Sequence, residues 1–340
     1  MEPVTSRGRS DAPTVRDVAR LAGVGVGTVS RVLNRSSYVS EQACARVHKA
    51  IEELGYRRSE SARSLSLGRS QAIGVVAPFF TSPSVIERLR GAVERLAVRG
   101  YDVVLFSVQT PEQRAEAFRD FALHDRVDGL LLISIPLSDG DVAALERHRL
   151  RAVLIDARHP ALAHVVVDDV RGGEIAAEHL LAKGHRRIGF VGGAPVNAFE
   201  FTSSEGRLKG LRRTVARAGI ERGNVIPQRG RYGHEEASAL ATKLLNRDNP
   251  PTAVFAASDI QAIGVLEAAS TLGLRVPDDL ALIGFDDIEM AAVIGLTTVR
   301  QPLFESGGKG IDLLLGAIEG GDRRAVREVQ PLTLVERRTT

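Results

Sequence analysis

Two stretches of this chain carry residue types that could do chemistry on a ligand. Between Gly23 and Asn34 the sequence GVGVGTVSRVLN sets glycines at alternate positions, a run whose bare backbone could wrap a phosphate. Further on, His179 and His185 in HLLAKGH raise the question of a metal. Spacing argues against both. A Walker-type loop needs GxxxxGK, and no lysine follows here. The dinucleotide fingerprint GxGxxG follows a strand, whereas here a helical pattern precedes Gly23 and the sixth position is Thr28. A separation of six puts the two histidines on different sides of a helix end, so both are expected to be structural and no metal is expected. Neither a Ser-His-Asp order nor a nucleotide loop supports an α/β enzyme, and no cofactor is expected. Cys44 stands alone, without a partner for a disulfide or a thiolate zinc site.

The elements around the glycine run give it another meaning. TVRDVARLAG opens with a Thr cap, places Val15, Val18, Ala19 and Ala22 on one face and stops at Gly23. After a very short turn, GTVSRVLN turns Val29, Val32 and Leu33 inward, and SEQACARVHKAIEELGY runs from a Ser40 cap through Val47, Ile51 and Leu54 to Gly55. Helix, tight turn and helix form a helix-turn-helix, whose second helix enters the major groove. Thr28, Ser30, Arg31 and Asn34 stand on the exposed side of that helix, all able to reach base edges or phosphates. Residues 1–12 read as a disordered tail, 13–58 as the DNA-binding module and 59–70 as a linker with weak helical capacity.

Charge distribution agrees. Residues 1–70 hold 12 Lys and Arg against 7 Asp and Glu, a surplus of five, although the whole chain of 340 residues carries only +3. A basic module on a slightly acidic body suits a nucleic-acid binder with a separate sensing domain. No apolar run approaches the roughly 18 residues of a membrane span, and the start MEPVTSRGRSDAPT lacks the apolar core of a secretory signal, so a cytoplasmic protein without membrane partners is expected. A secreted solute-binding protein would need the reverse arrangement at this end. From residue 71 onward, short apolar runs (AIGVVAP, YDVVLFSV, VDGLLLIS, RAVLID, RRIGFVGG, TAVFAAS, LALIGFDD) alternate with helical segments. This is the texture of an α/β fold with two doubly wound parallel lobes.

Taken together, TVRDVARLAGVGVGTVSRVLN, the following VS and ELGY, ARSL with GRS and IGVV, then GYDVVL, DGLLL, HLLAKGHRRIGFVGG, GRLKGL, IGFDDIEMA and LTTVRQP resemble the lactose repressor/galactose repressor family of bacterial transcription regulators. The resemblance covers nearly the whole chain. It implies a helix-turn-helix headpiece, a hinge helix, and a 71–340 sensor of periplasmic-binding-protein-like architecture, with an N-lobe of about 71–168 plus 298–330 and a C-lobe of about 169–297. It implies a repressor, or within the same family an activator or dual regulator, that binds a pseudo-palindromic operator in double-stranded DNA as a homodimer under control of a small effector. By the same match Val26, Gly27 and Arg31 would read bases, and Thr14, Thr28, Ser30, Asn34, Tyr38, Val39 and Ser40 would lie along backbone or base contacts. Ala62, Arg63 and Ser64 flank Leu65, the expected minor-groove wedge.

For the sensor, the resemblance places the effector between the lobes, against Phe80, Ser82, Asp156, Arg207, Tyr232, Ser258, Phe285 and Asp286, with Phe79 and Thr81 in the same loop. Carboxylates that accept from hydroxyls, a guanidinium that donates and rings that cover an apolar face suit a sugar-like ligand. Asp259 is expected to act as an N-cap, and Asp287 has an equal claim to a structural role. The sequence also departs from the family pattern. Gly25 stands where a serine or threonine is usual, Arg58 where a proline often follows GY, Ser258 where an asparagine is common, and Phe79 where an aspartate is frequent. Ser84 and Val85 replace a common Phe-Phe pair, and Gly295 stands near a usual proline. Base readout should therefore lean on Arg31, on contact with thymine methyls and on DNA deformability.

Overall fold

The computed structural model describes residues 13–33, 38–56, 70–108, 110, 112–113, 126–194, 201–320 and 325–340. The chain divides into two units, residues 1–70 and 71–340.

The first unit contains α1 (Val15–Ala22), α2 (Val26–Leu33) and α3 (Glu41–Leu54). Thr14 caps α1 in a capping box: its hydroxyl donates to Asp17 Oδ2 at 2.6 Å and accepts from the Asp17 amide at 3.4 Å. Gly23 ends α1 in the left-handed region at φ 63°, which lets its amide return to the carbonyls of Ala19 and Arg20. At the start of α2 the Gly25 carbonyl accepts from the amides of Thr28 and Val29. The shared core is built from small residues, Val18, Ala19, Ala22, Val29, Val32, Val47 and Ala50.

The second unit holds two six-stranded sheets. The N-lobe sheet is formed by β1 (Ala72–Ala77), β2 (Asp102–Ser107), β3 (Gly129–Ile133), β4 (Arg151–Ile155), β5 (Ala163–Val167) and β11 (Arg327–Gln330), in the order β11-β5-β4-β3-β1-β2. The C-lobe sheet is formed by β6 (Ile188–Gly193), β7 (Val225–Gly230), β8 (Ala253–Ala256), β9 (Ala281–Asp286), β10 (Thr297–Arg300) and β12 (Thr333–Val335), in the order β12-β10-β9-β8-β6-β7. Every pairing is parallel except that of β10 with β12. Helices α4 (Pro83–Arg99), α5 (Asp139–Arg147) and α11 (Leu303–Ile318) belong to the N-lobe; α6 (Asp169–Ala182), α7 (Ser203–Arg217), α8 (His234–Leu245), α9 (Asp259–Thr271) and α10 (Glu289–Ile294) belong to the C-lobe. Central strands such as β1 and β9 are buried along their whole length, as continuous apolar runs require when helices cover both faces.

The lobe boundaries differ from the expected ones. β10 pairs with β9 through Arg300, so the chain leaves the C-lobe after Arg300 and not at 297. It then forms α11 and β11 in the N-lobe and returns to the C-lobe as β12, where the Leu282 amide donates to the Thr339 carbonyl. The sequence runs AHVVV, VIPQRG, TTVR, REVQ and TLV were too short or too polar to stand out as strands, and pairing with neighbours makes them so.

Two helix pairs are set by glycine. α4 packs on α11, where a Cβ at Gly91 would collide with the Phe304 carbonyl and one at Gly307 with the Arg88 carbonyl. α6 packs on α7, where a Cβ at Gly173 would meet the Arg207 carbonyl and one at Gly210 the Val170 carbonyl. Without side chains at these crossings the backbones touch, and each close approach brings one arginine, Arg88 or Arg207, to the carboxyl ends of the strands.

Candidate functional site

Parallel strands release their carboxyl ends toward one side of each sheet, where open α/β sheets bind ligands. Five residues there hold positive φ without being glycine: Phe79 after β1 (51°), Ser134 after β3 (54°), Asp156 after β4 (58°), and Asp286 and Asp287 at the end of β9 (118° and 59°). Such conformations cost about 1–3 kcal/mol each and persist where the surroundings over-determine them.

A polar network joins the lobes at these ends. From the N-lobe, Asp156 accepts from the Ser134 hydroxyl at 2.8 Å and lies 3.7 Å from the Arg88 guanidinium. Arg88 Nη2 donates to Gln301 Oε1 at 3.2 Å, and Gln301 Nε2 donates to Asp286 Oδ1 at 2.5 Å, so this amide on the crossover segment bridges a side chain of each lobe. From the C-lobe, Arg207 Nε donates to Asp169 Oδ1 at 2.9 Å and its Nη1 to the Ala257 carbonyl, while the guanidinium lies 3.5 Å above the Phe285 ring. Across the mouth, the Ser82 and Tyr232 hydroxyls stand 3.4 Å apart.

Burial dominates the electrostatics. It pushes the Asp169 carboxyl up to about 6, with Asp156 adding to the effect and Arg207 opposing it. Asp286 is raised for the same first reason, against the attraction of Arg207 and the hydrogen bond from Gln301. The Tyr232 phenol is also raised, by burial of its hydroxyl and then by Asp286. Hydroxyl-bearing ligands would meet acceptors that can also carry a proton.

Most residues expected around the effector do gather here, though not in equivalent ways. Asp156, Arg207, Tyr232, Asp286 and Ser82 share the network, and Phe80 lies half-buried in the loop after β1. Phe285 is fully buried beneath Arg207, so its ring supports the guanidinium and presents no surface of its own. Ser258 is buried and caps α9, accepting from the Gln261 amide at 3.3 Å. The cap expected of Asp259 thus belongs to Ser258. Asp259 instead accepts from the Thr298 hydroxyl at 2.6 Å and the Ile288 amide at 2.9 Å, tying α9 to β10 and to the loop after β9. Burial, followed by Asp286, pushes its carboxyl up to about 8. Asp287 pairs with Arg300 and Arg337. His179 meets the Thr340 hydroxyl and His185 that of Thr252, and burial lowers both imidazoles. Among the described residues no group of three or more His, Cys, Asp or Glu could hold a metal ion.

Arg88, Ser134, Asp169 and Gln301 were missed. Arg88 did carry a signal: on α4 it falls in phase with buried Val85, Ala92 and Leu96, an arginine on the apolar face of a helix. Ser134 and Gln301 carried none: the role of Ser134 appears only when β3 and β4 lie side by side, and that of Gln301 only once the two lobes meet.

In the first unit Gly25, Val26, Gly27 and Arg31 form the exposed surface of α2, with Thr28 and Ser30 half-buried beside them. The Arg31 guanidinium folds back over Gly27, 3.9 Å from where a Cβ would stand. Tyr38 is 86% exposed, Thr14 caps α1 and Ser40 caps α3. Asn34, Ala62, Arg63, Ser64 and Leu65 lie outside the described residues, as do the expected tail 1–12 and all of the expected hinge except Ser70.

Comparison with known proteins matches both units. Residues 14–59 match the bacterial regulatory proteins of the lacI family, and residues 177–340 match a periplasmic binding protein-like domain. The ribose operon repressor of Escherichia coli strain K12 is 36% identical over 310 residues, covering 90% of this chain and 93% of that protein. The HTH-type transcriptional repressor PurR of Proteus mirabilis is 34% identical over 334 residues, 96% of each chain. Among solved structures, the lac repressor dimer bound to operator and the anti-inducer ONPF shows a TM-score of 0.84 at 29% identity, covering 97% of this chain and 99% of that one. The chain belongs to the lacI family of bacterial regulatory proteins. It is a DNA-binding transcription regulator with an effector-binding domain, and its relatives are regulators rather than enzymes. Among the described residues no helix is long and apolar enough to cross a membrane.

Proposed function

We propose that this protein is a cytoplasmic repressor that binds a pseudo-palindromic operator as a homodimer, and that a small polyhydroxylated effector seated between the sensor lobes sets its operator affinity. The observation that carries this reading is the buried network at the strand ends, in which Asp156 and Asp286 from opposite lobes are joined through Arg88 and Gln301. A ligand that donates hydrogen bonds to both carboxylates changes the relation of the lobes. Relatives support the ligand class, since solved structures of similar chains hold cellobiose and ribose. They also support the assembly, since the similar lac repressor was solved as a dimer on operator. Exposed apolar side chains on α4 (Val93, Val98), the edge strand β2 (Leu105) and α10 (Met290, Val293) supply surface for a second copy.

On DNA, Arg31 pairs with a guanine, Val26 and Gly27 meet the floor of the major groove, and Thr28, Ser30, Asn34, Tyr38 and Ser40 hold the phosphates. Thr14 and Ala62 complete the backbone contacts, and Leu65 wedges into the minor groove. In the cleft, Asp156, Asp286, Arg207, Ser82 and Tyr232 touch the effector; Phe80 covers it, and Phe285 and Ser258 support the residues that do. Operator fragments selected from random duplexes and titrated with and without a sugar panel test the reading: selection of a two-fold symmetric site whose affinity changes with a ligand supports it. Binding indifferent to sequence and to every ligand contradicts it.

A further inference from the structure

The two cleft arginines are equally buried but unequally served. Arg207 is 5% exposed and has a carboxylate on Nε, a carbonyl on Nη1 and a phenyl ring beneath its plane. Arg88 is 3% exposed, yet among the described residues the one hydrogen bond of its side chain goes to a neutral amide, that of Gln301. Its Nε is buried without a partner, and the Asp156 carboxylate, at 3.7 Å, is beyond hydrogen-bond length. A guanidinium presents five N–H donors in a planar fork, and a buried one left short of acceptors is costly. The nearby carboxylates are turned to other donors, Asp156 Oδ2 to the Ser134 hydroxyl and Asp286 Oδ1 to Gln301, and neither of these oxygens hydrogen-bonds Arg88. What Arg88 lacks is an anionic acceptor brought by something else.

We infer that the effector carries a carboxylate and that Arg88 receives it, so that the cleft is built for a sugar acid. This rests on the cleft being the effector site, as proposed above. The charge balance selects the kind of anion. Asp156, Asp169 and Asp286 surround the site, so a phosphate dianion is opposed, whereas a monoanionic planar carboxylate matches the fork of one guanidinium in shape and in charge. The same aspartates then accept from the ligand's hydroxyls, with Arg207 and Tyr232 closing the opposite wall. Arg88 thereby becomes the residue that separates an acid from the neutral sugar of the same stereochemistry.

Calorimetric titration of the full chain tests this with gluconate, galactonate, glucuronate and galacturonate against glucose, galactose, ribose and glucose 6-phosphate. At least one acid is expected to bind about tenfold or more tightly than its neutral counterpart, the scale of a charge-assisted hydrogen bond. R88Q should erase that margin and R88K should keep part of it, with thermal unfolding showing that both variants fold. If a neutral sugar binds as tightly as its acid and R88Q leaves the ratio unchanged, the cleft reading stands and the assignment to Arg88 falls. Preference for the sugar phosphate over every acid would overturn the choice of carboxylate. Binding of no compound would overturn both this inference and the sugar-like effector on which it rests.

Discussion

The headpiece and the sensor place their functional side chains in opposite physical settings. On α2 the residues proposed to read bases, Val26, Gly27 and Arg31, are exposed and stand on a core of valines and alanines. Between the lobes Arg88, Arg207, Asp286 and Gln301 are buried, and the network they form with Asp156 and Asp169 shares hydrogen bonds and shifts proton affinities. A reading surface must be free to meet its partner, and a switch must be held so that one new contact disturbs several old ones. Substitutions in the headpiece should therefore act singly, and those in the cleft should spread to stability.

The largest departure is expected from Arg207→Ala. It leaves Asp169 buried beside Asp156 without its cation and removes the cover of Phe285, so the sensor should lose about 3–5 kcal/mol in urea unfolding. A loss below about 1 kcal/mol would break the claim that the cleft is coupled. Next comes Gly307→Ala, whose new methyl meets the Arg88 carbonyl where α4 and α11 touch; about 1–3 kcal/mol of overpacking should appear, together with weaker effector binding because Arg88 is moved. Arg31→Ala should cost about 1–3 kcal/mol in specific operator binding while sensor unfolding stays as in the wild type, and unchanged discrimination between operators would remove Arg31 from the readout.

Protonation sharpens the contrast further. The Asp169 carboxyl, about 6 in the fold, lies above its unfolded value, so between pH 4 and 6 the folded chain binds the extra proton. Its contribution to stability is therefore greatest below about pH 4 and declines as pH rises toward 6, by about 3 kcal/mol. Asp169→Asn should flatten that part of the pH profile; a slope that persists in the variant would show that other groups set it. The smallest effect is expected from Thr14→Ala, about 1 kcal/mol of headpiece stability from the lost capping box, read by local amide exchange in α1.

The same contrast explains what could be read from the sequence. Thr14, Gly23, Ser40 and Gly55 act within a few residues of themselves, so caps and turns were legible one element at a time. Continuous apolar runs likewise announced the central strands, whereas β10, β11 and β12 are strands only because a distant neighbour pairs with them. In the cleft, Asp156, Arg207 and Asp286 were reached by resemblance, and Arg88 could have been reached by helical phase. Gln301 could not, because its two partners lie 213 and 15 residues away and meet only across the crossover. Ser258 takes the cap expected of Asp259 because a one-residue shift in where α9 starts decides which side chain caps it, and Asp259 is left to tie α9 to β10.

The most direct test of the coupled cleft is an operator titration of the full chain by fluorescence anisotropy, with and without the tightest-binding compound of the sugar and sugar-acid panel, on wild type and Asp286→Asn. Asn can still accept from Gln301 through its Oδ1, while the charge and the second acceptor oxygen are lost. The ligand should change wild-type operator affinity by about 5–150-fold. In Asp286→Asn the unliganded affinity should be kept and that change lost. A variant that responds to the ligand as strongly as the wild type would contradict a switch built on this network.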